Sequence, residues 1–194
     1  MATLATHLVW TAYMTWPPGD PRGHWSPLFD LYGQITAQGG RLQLPDTTTR
    51  RVAAEKAREP AKILDASETT VVAAALGALV RPPLAPRTPD QEAMPACYAA
   101  AIEATHVHLL VGPVQEELSR CVGRMKGTSS SAVLALRPNQ GRHRVWTGGY
   151  WKVFLFDMAT VQAVKRYIDE HNVRRGLPAE PFAWITPLDR KSVV

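Results

Sequence analysis

Two histidines open the chemistry of this chain. Thr105-His106-Val107-His108-Leu109-Leu110-Val111 is a short β-branched and aliphatic run closed by Gly112-Pro113, which reads as a strand. Side chains alternate across a strand, so His106 and His108 share one face and Val107 takes the other. Two imidazoles on rigid backbone make half of a metal site; the same pair also suits two ordinary exposed or core histidines. Further along, Tyr167 and His171 stand four residues apart on a helical pattern, on one face and beside the apolar stripe. Taken alone, that tyrosine is a core residue and that histidine a favourable charge at a helix C-terminus.

The elements that must hold these residues can be read in order. Thr6–Trp16 is rich in β-branched and aromatic residues and reads as a first strand, stopped by Pro17-Pro18-Gly19-Asp20-Pro21. Arg51–Glu59 suits a short helix. Asp65-Ala66-Ser67-Glu68 offers capping residues for a helix over Thr69–Val80. Arg81–Pro89 is Pro-rich and reads as an irregular connection. Two strands follow, about Ala96–Glu103 and Thr105–Gly112. Leu118, Cys121, Val122 and Met125 give helical spacing over Glu116–Met125, with Gly127–Ser131 either interrupting it or starting another turn. A strand over about Tyr150–Phe156 precedes a helix over about Thr160–His171, whose stripe is Val161, Val164 and Ile168. Phe182-Ala183-Trp184-Ile185 reads as an apolar tail that packs back. The order strand, helix, strand, strand, helix, strand, helix is a split βαβ pattern. It predicts an α+β fold: a ferredoxin-like or RRM-like antiparallel sheet with helices packed on one face and the two histidines on a central strand.

Composition narrows the classes. The chain has 194 residues, 45% of them hydrophobic, enough for one domain over 1–194 with a Pro-rich variable insertion at about 39–95. No apolar run reaches the ~20 residues of a membrane span, and no basic segment precedes an apolar one at the N-terminus, so neither a membrane nor a secretion signal is expected. Two cysteines make no disulfide framework, and a reducing cytoplasmic location follows. The net charge of +5 is uneven. From Ser119 onward Lys and Arg outnumber Asp and Glu by 13 to 5, while before it they trail by 9 to 12. A basic half suits a polyanion such as nucleic acid; it also suits an ordinary solvated surface.

Taken together, these segments resemble a known family. His106-Val107-His108-Leu109-Leu110-Val111, Met125-Lys126-Gly127-Thr128-Ser129-Ser130, Val145-Trp146-Thr147-Gly148-Gly149-Tyr150 and Val164-Lys165-Arg166-Tyr167-Ile168 are similar, in that order, to segments of the HUH single-tyrosine transposases. The run Tyr167–Leu177, the later Trp184 and the N-terminal Thr15–Gly23 look like the REP-associated tyrosine transposase branch. The resemblance implies the antiparallel sheet already read. It implies Tyr167 as the nucleophile, and His106, His108 and His171 as ligands of a divalent metal, Mg²⁺ or Mn²⁺. His171 departs from the Gln or Asn often found at the third position. The resemblance further implies a prokaryotic, nucleoid-associated enzyme acting on single-stranded DNA that carries a hairpin, as a monomer or homodimer. Lys126 would contact phosphate, and Arg120, Arg124, Arg142, Arg144, Lys165 and Arg166 would hold the DNA backbone. Trp146, Tyr150 and Trp151 are either stacking platforms or core.

Chemistry fits these residue types. A free phenol has a pKa of about 10 and is a poor nucleophile at neutral pH. A cation on the scissile phosphate offsets the developing charge. Imidazole ligands favour Mn²⁺ or another transition metal. Attack by tyrosine would leave a 5′-phosphotyrosine and a free 3′-hydroxyl. Two other readings compete: a non-catalytic DNA or RNA hairpin-binding relative, and a hydrolase that activates water. No His-Glu-x-x-His or carboxylate-rich cluster supports the last.

Overall fold

The structure, a computed structural model, describes residues 2–17, 20, 24–25, 42–43, 46–80, 94–114, 116–140 and 143–188. A four-stranded antiparallel sheet organises it, built from β1 (Ala5–Thr11), β4 (Cys97–Ile102), β5 (His106–Val111) and β6 (Trp151–Leu155), in the spatial order β4-β5-β1-β6. His24–Trp25 (β2) and Leu42–Gln43 (β3) form a separate two-stranded ribbon. The helices are α1 (Thr47–Lys56), α2 (Ala66–Leu79), α3 (Leu118–Ala135) and α4 (Met158–Arg174).

The α+β antiparallel architecture is as the sequence predicts, with the histidine strand β5 at the centre of the sheet. The placement of helices differs in one respect. The crossover helices α2 and α3 pack together on one face, over Leu8, Trp10, Val107, Leu109 and Val111. Helix α4 lies on the opposite face, over Ala5, Ala99, Ala101 and Leu110. The expectation of helices on one face therefore holds for the crossovers only. Both faces of β5 are apolar apart from its histidines, so each must be covered, and the split βαβ pattern supplies helices to one side alone. The extra C-terminal helix covers the other. Alanines at 99 and 101 on β4 let it approach the sheet closely; of the strands, β4 meets it most.

Helix α2 is capped as its sequence suggests: Asp65 accepts from the Glu68 amide, and Glu68 accepts from the Asp65 amide. Glu68 is buried and also accepts from Lys62 at 2.5 Å. Val72 and Leu76 on this helix belong to the core, so this part of the 39–95 region is integral to the fold. Residues 81–93, which include the Pro-rich stretch, lie outside the described residues.

Several boundaries moved, those of β1 and α3 among them. β1 ends at Thr11 rather than Trp16, because Ala12 makes only an isolated bridge to Trp146 and Met14 takes a left-handed φ of 58°. α3 runs unbroken through Gly127–Ser131. Ser129 is fully buried there; its hydroxyl donates to the Met125 carbonyl at 2.7 Å and accepts from the Trp146 indole at 3.0 Å, so the serines are used within the helix rather than to stop it. The tail packs back as expected. Phe182 stacks on Trp184, and the Thr186 amide donates to the Cys97 carbonyl at 2.7 Å. A Cβ on Gly77 would stand 2.3 Å from the Trp184 ring, so this helical position requires glycine.

Candidate metal and nucleophile site

Register places the first part of the site. His108 pairs with Val9 and Leu110 with His7, so His7, His106 and His108 all project from the same face of the sheet. That is the α4 face. The helix is anchored by Val161 and Ile168 in the core and by Asn172, which is fully buried. Asn172 donates from Nδ2 to the Ala100 carbonyl at 2.9 Å and to the Ala179 carbonyl at 2.8 Å. These contacts fix the last turns of α4 against β4. One residue earlier is His171, and one turn earlier is Tyr167.

The histidines converge. One ring nitrogen from each of His106, His108 and His171 lies within 4.8 Å of the others. Ring centroids are 4.7 Å apart for His106 and His108, and 4.6 Å for His108 and His171. Tyr167 sits beside them, its ring 5.6 Å from His108 and 4.7 Å from His171, with 44% of its surface exposed. A phenol thus reaches solvent on the edge of an imidazole cluster, all from one chain.

Three groups that the sequence reading did not single out complete the surroundings. His7 of β1 is buried; its Nε2 lies 3.1 Å from His108 Nδ1, and its ring meets Trp151 at 5.0 Å and Tyr167 at 6.2 Å. Glu103, in the β4–β5 turn, places Oε1 2.5 Å from His171 Nδ1 and Oε2 3.8 Å from His106 Nε2. The Thr105 hydroxyl is 2.9 Å from His106 Nδ1. The one signal for His7 was a polar residue inside an apolar strand. Nothing in the sequence pointed to Glu103, because only the hairpin and the docked helix bring it to His171.

Burial tunes these imidazoles. Desolvation, with the neighbouring His171 next, pushes His7 down to about 4. Desolvation, followed by the charges of His106, His7 and His171, pushes His108 down to about 2. Both rings are neutral at pH 7, the state that binds a metal. The donor set therefore fits a divalent transition cation. His171 Nε2 is buried without a hydrogen-bond partner, as suits a nitrogen that would ligate a cation.

The basic residues divide. Lys126 donates to the carbonyls of Thr147 and Gly149, at 2.6 Å each, and so fastens α3 to the loop before β6; burial pushes its ammonium down to about 8. Arg124 pairs with Glu116 and reaches the Met94 sulfur at 3.3 Å. Lys165 pairs with Asp169 at 2.8 Å and with Glu180. The ammonium or guanidinium of each thus has a partner inside the protein. Arg120, Arg144 and Arg166 are exposed, with Arg144 over the Tyr13 ring at 5.5 Å. Arg142 lies outside the described residues. Trp146 is core, with its indole on Ser129, and Trp151 is half-buried against His7. Exposed aromatic surface lies instead at Phe154 and Phe156, in and just after edge strand β6. No helix among the described residues is long and apolar enough to cross a membrane.

Comparison with known proteins gives a matching picture. Residues 93–171 match the family model described as "Transposase IS200 like", a span from just before β4 to His171. Over that span the match agrees with the resemblance to single-tyrosine transposases read from the sequence. No curated protein is significantly similar. Among solved structures, a chain described provisionally as a transposase, from Deinococcus radiodurans R1, is 15% identical, with 88% of this chain and 92% of that chain covered and a TM-score of 0.40. A REP-associated tyrosine transposase bound to a REP hairpin is 12% identical, with 90% and 70% covered and a TM-score of 0.41. Both likenesses are too distant to bear on this chain's chemistry.

Proposed function

We propose that this chain, whose residues 93–171 carry the IS200-like transposase pattern, is a metal-dependent endonuclease and strand transferase for single-stranded DNA bearing a hairpin. The observation that carries the reading is the packing of Tyr167 against the His106–His108–His171 cluster within one chain. His106, His108 and His171 would hold Mg²⁺ or Mn²⁺. Bound there, the cation would supply charge to polarise the scissile phosphate and offset its developing negative charge.

Tyr167 is the nucleophile. Its phenolic oxygen attacks phosphorus and its proton passes to solvent; the bond from phosphorus to the 3′-oxygen of the preceding nucleotide breaks, and that oxygen takes up a proton. One phosphodiester is exchanged for one phosphotyrosine, so a 3′-hydroxyl can reseal the strand by the reverse attack without ATP. The packing of Tyr167 on the histidines of its own chain supports a reaction in cis. Exposure of the phenol leaves room for a strand. Arg120, Arg144 and Arg166 supply backbone cations, and Phe154 and Phe156 supply faces for unpaired bases, with Lys152 5.6 Å over the Phe154 ring.

The test is incubation with an end-labelled single-stranded hairpin and Mn²⁺, then a denaturing gel. The expected product is a protein-linked strand that EDTA and Tyr167→Phe both abolish. Binding of the hairpin with no covalent product under any divalent metal would leave the non-catalytic hairpin-binding reading. Cleavage that survives Tyr167→Phe would leave the water-activating hydrolase.

A further inference from the structure

Each imidazole of the cluster is held from behind. His171 Nδ1 is 2.5 Å from Glu103, His108 Nδ1 is 3.1 Å from His7 Nε2, and His106 Nδ1 is 2.9 Å from the Thr105 hydroxyl. In all three Nδ1 is the nitrogen at hydrogen-bond distance, which leaves Nε2 for a cation; His106 Nε2 also lies 3.8 Å from Glu103 Oε2. Neutral imidazole carries one proton, so an acceptor at Nδ1 selects the tautomer whose Nε2 lone pair is free. Glu103 Oε1 stands at hydrogen-bond distance as an acceptor to His171 Nδ1, so it favours that form of His171. We infer that Glu103 and His7 are positioning residues that preset the tautomers of His171 and His108 for metal capture. The inference rests on the three-histidine reading above and adds residues to it.

Glu103 does more than orient a ring. It belongs to the β4–β5 turn, whereas His171 belongs to α4, the helix that carries Tyr167 one turn earlier. The carboxylate–imidazole bond ties the nucleophile's helix to the hairpin that carries the other two ligands. His7 performs the equivalent task from β1: it backs His108 on one side and meets the Tyr167 ring on another.

The experiment is a titration of the full-length, metal-free protein with Mn²⁺ alone, followed by calorimetry, and with Co²⁺ alone, followed by its visible absorption. Glu103→Ala and His7→Phe should each weaken Mn²⁺ binding by about 10–100-fold. Glu103→Gln and His7→Gln keep an acceptor and should recover most of it, while the melting temperature of metal-free Glu103→Ala should stay near wild type, because Val161, Ile168 and Asn172 still anchor α4 to the sheet. The Co²⁺ band should shift in the Ala and Phe variants and return in the Gln variants. Wild-type affinity in Glu103→Ala and His7→Phe, with loss in His106→Ala, would overturn this inference and leave the three-histidine site standing. Failure of wild type itself to bind either metal would overturn the site reading instead. If His7→Phe does not fold, the Glu103 pair decides alone.

Discussion

Asn172 is the hinge between packing and chemistry, and replacing it by alanine should damage both. Its amide is fully buried and satisfies two carbonyls, Ala100 of β4 and Ala179 of the segment after α4. Stranding a buried acceptor costs about 1–3 kcal/mol. Two acceptors, partly relieved by entering water at the Ala179 side, give an expected loss of about 2–5 kcal/mol. For a chain of this length that lowers the melting temperature by roughly 5–15 °C. The assay is urea unfolding followed by circular dichroism, with an unchanged m-value and a lower midpoint. Asn172→Asp should be worse at neutral pH, since a carboxylate would face both carbonyls. Because His171 is the next residue, the surviving folded fraction should also bind Mn²⁺ more weakly. A loss below about 1 kcal/mol with Mn²⁺ affinity intact would refute the reasoning, because α4 would then be held by its apolar stripe alone.

Three further outcomes follow from the same geometry. In metal-free protein, His7 resists protonation down to about 4 while the unfolded chain takes up protons from about 6.5; stability is therefore full above pH 6.5 and falls toward pH 4, by about 3 kcal/mol from His7 alone, and His7→Phe should flatten that limb of an unfolding-versus-pH series. Burial raises the thiols of Cys97 to about 12 and Cys121 to about 11, so iodoacetamide at pH 8 should leave both unmodified in the native protein and label both in urea; fast native labelling would contradict the packing around them. Gly77→Ala should destabilise by about 1–2 kcal/mol despite alanine's better helix propensity, and should become stabilising once Trp184 is cut to alanine, a reversal readable from two denaturation curves.

Much of this arrangement was legible in the chain, for reasons that particular residues make plain. His106 and His108 alternate with Val107 and Leu109, so their shared face followed from strand period alone. Val161, Val164 and Ile168 set the buried side of α4, and with it the side on which Tyr167 and His171 emerge. What escaped were features set by long-range pairing. His7 meets His108 only through the β1–β5 register. Glu103 meets His171 only after a hairpin turn and a helix 68 residues away come together. The helix face was missed because a split βαβ pattern says nothing of a helix that follows it. The structural partners of Lys126 were equally hidden: the two loop carbonyls that accept from its ammonium lie 21 and 23 residues further on. Gly127–Ser131 read either as a break or as a further turn, and the bonds of Ser129 to Met125 and Trp146 show that the helix continues.

The most direct measurement is tandem mass spectrometry of the protein after reaction with hairpin DNA and Mn²⁺, nuclease trimming and trypsin digestion. Cleavage after Arg166 and Arg174 releases Tyr167–Arg174 as one peptide. The account predicts a nucleotide phosphate on the tyrosine of that peptide and on no other. A covalent nucleotide mapped to a different residue, or cut DNA with every peptide unmodified throughout the reaction, would contradict it.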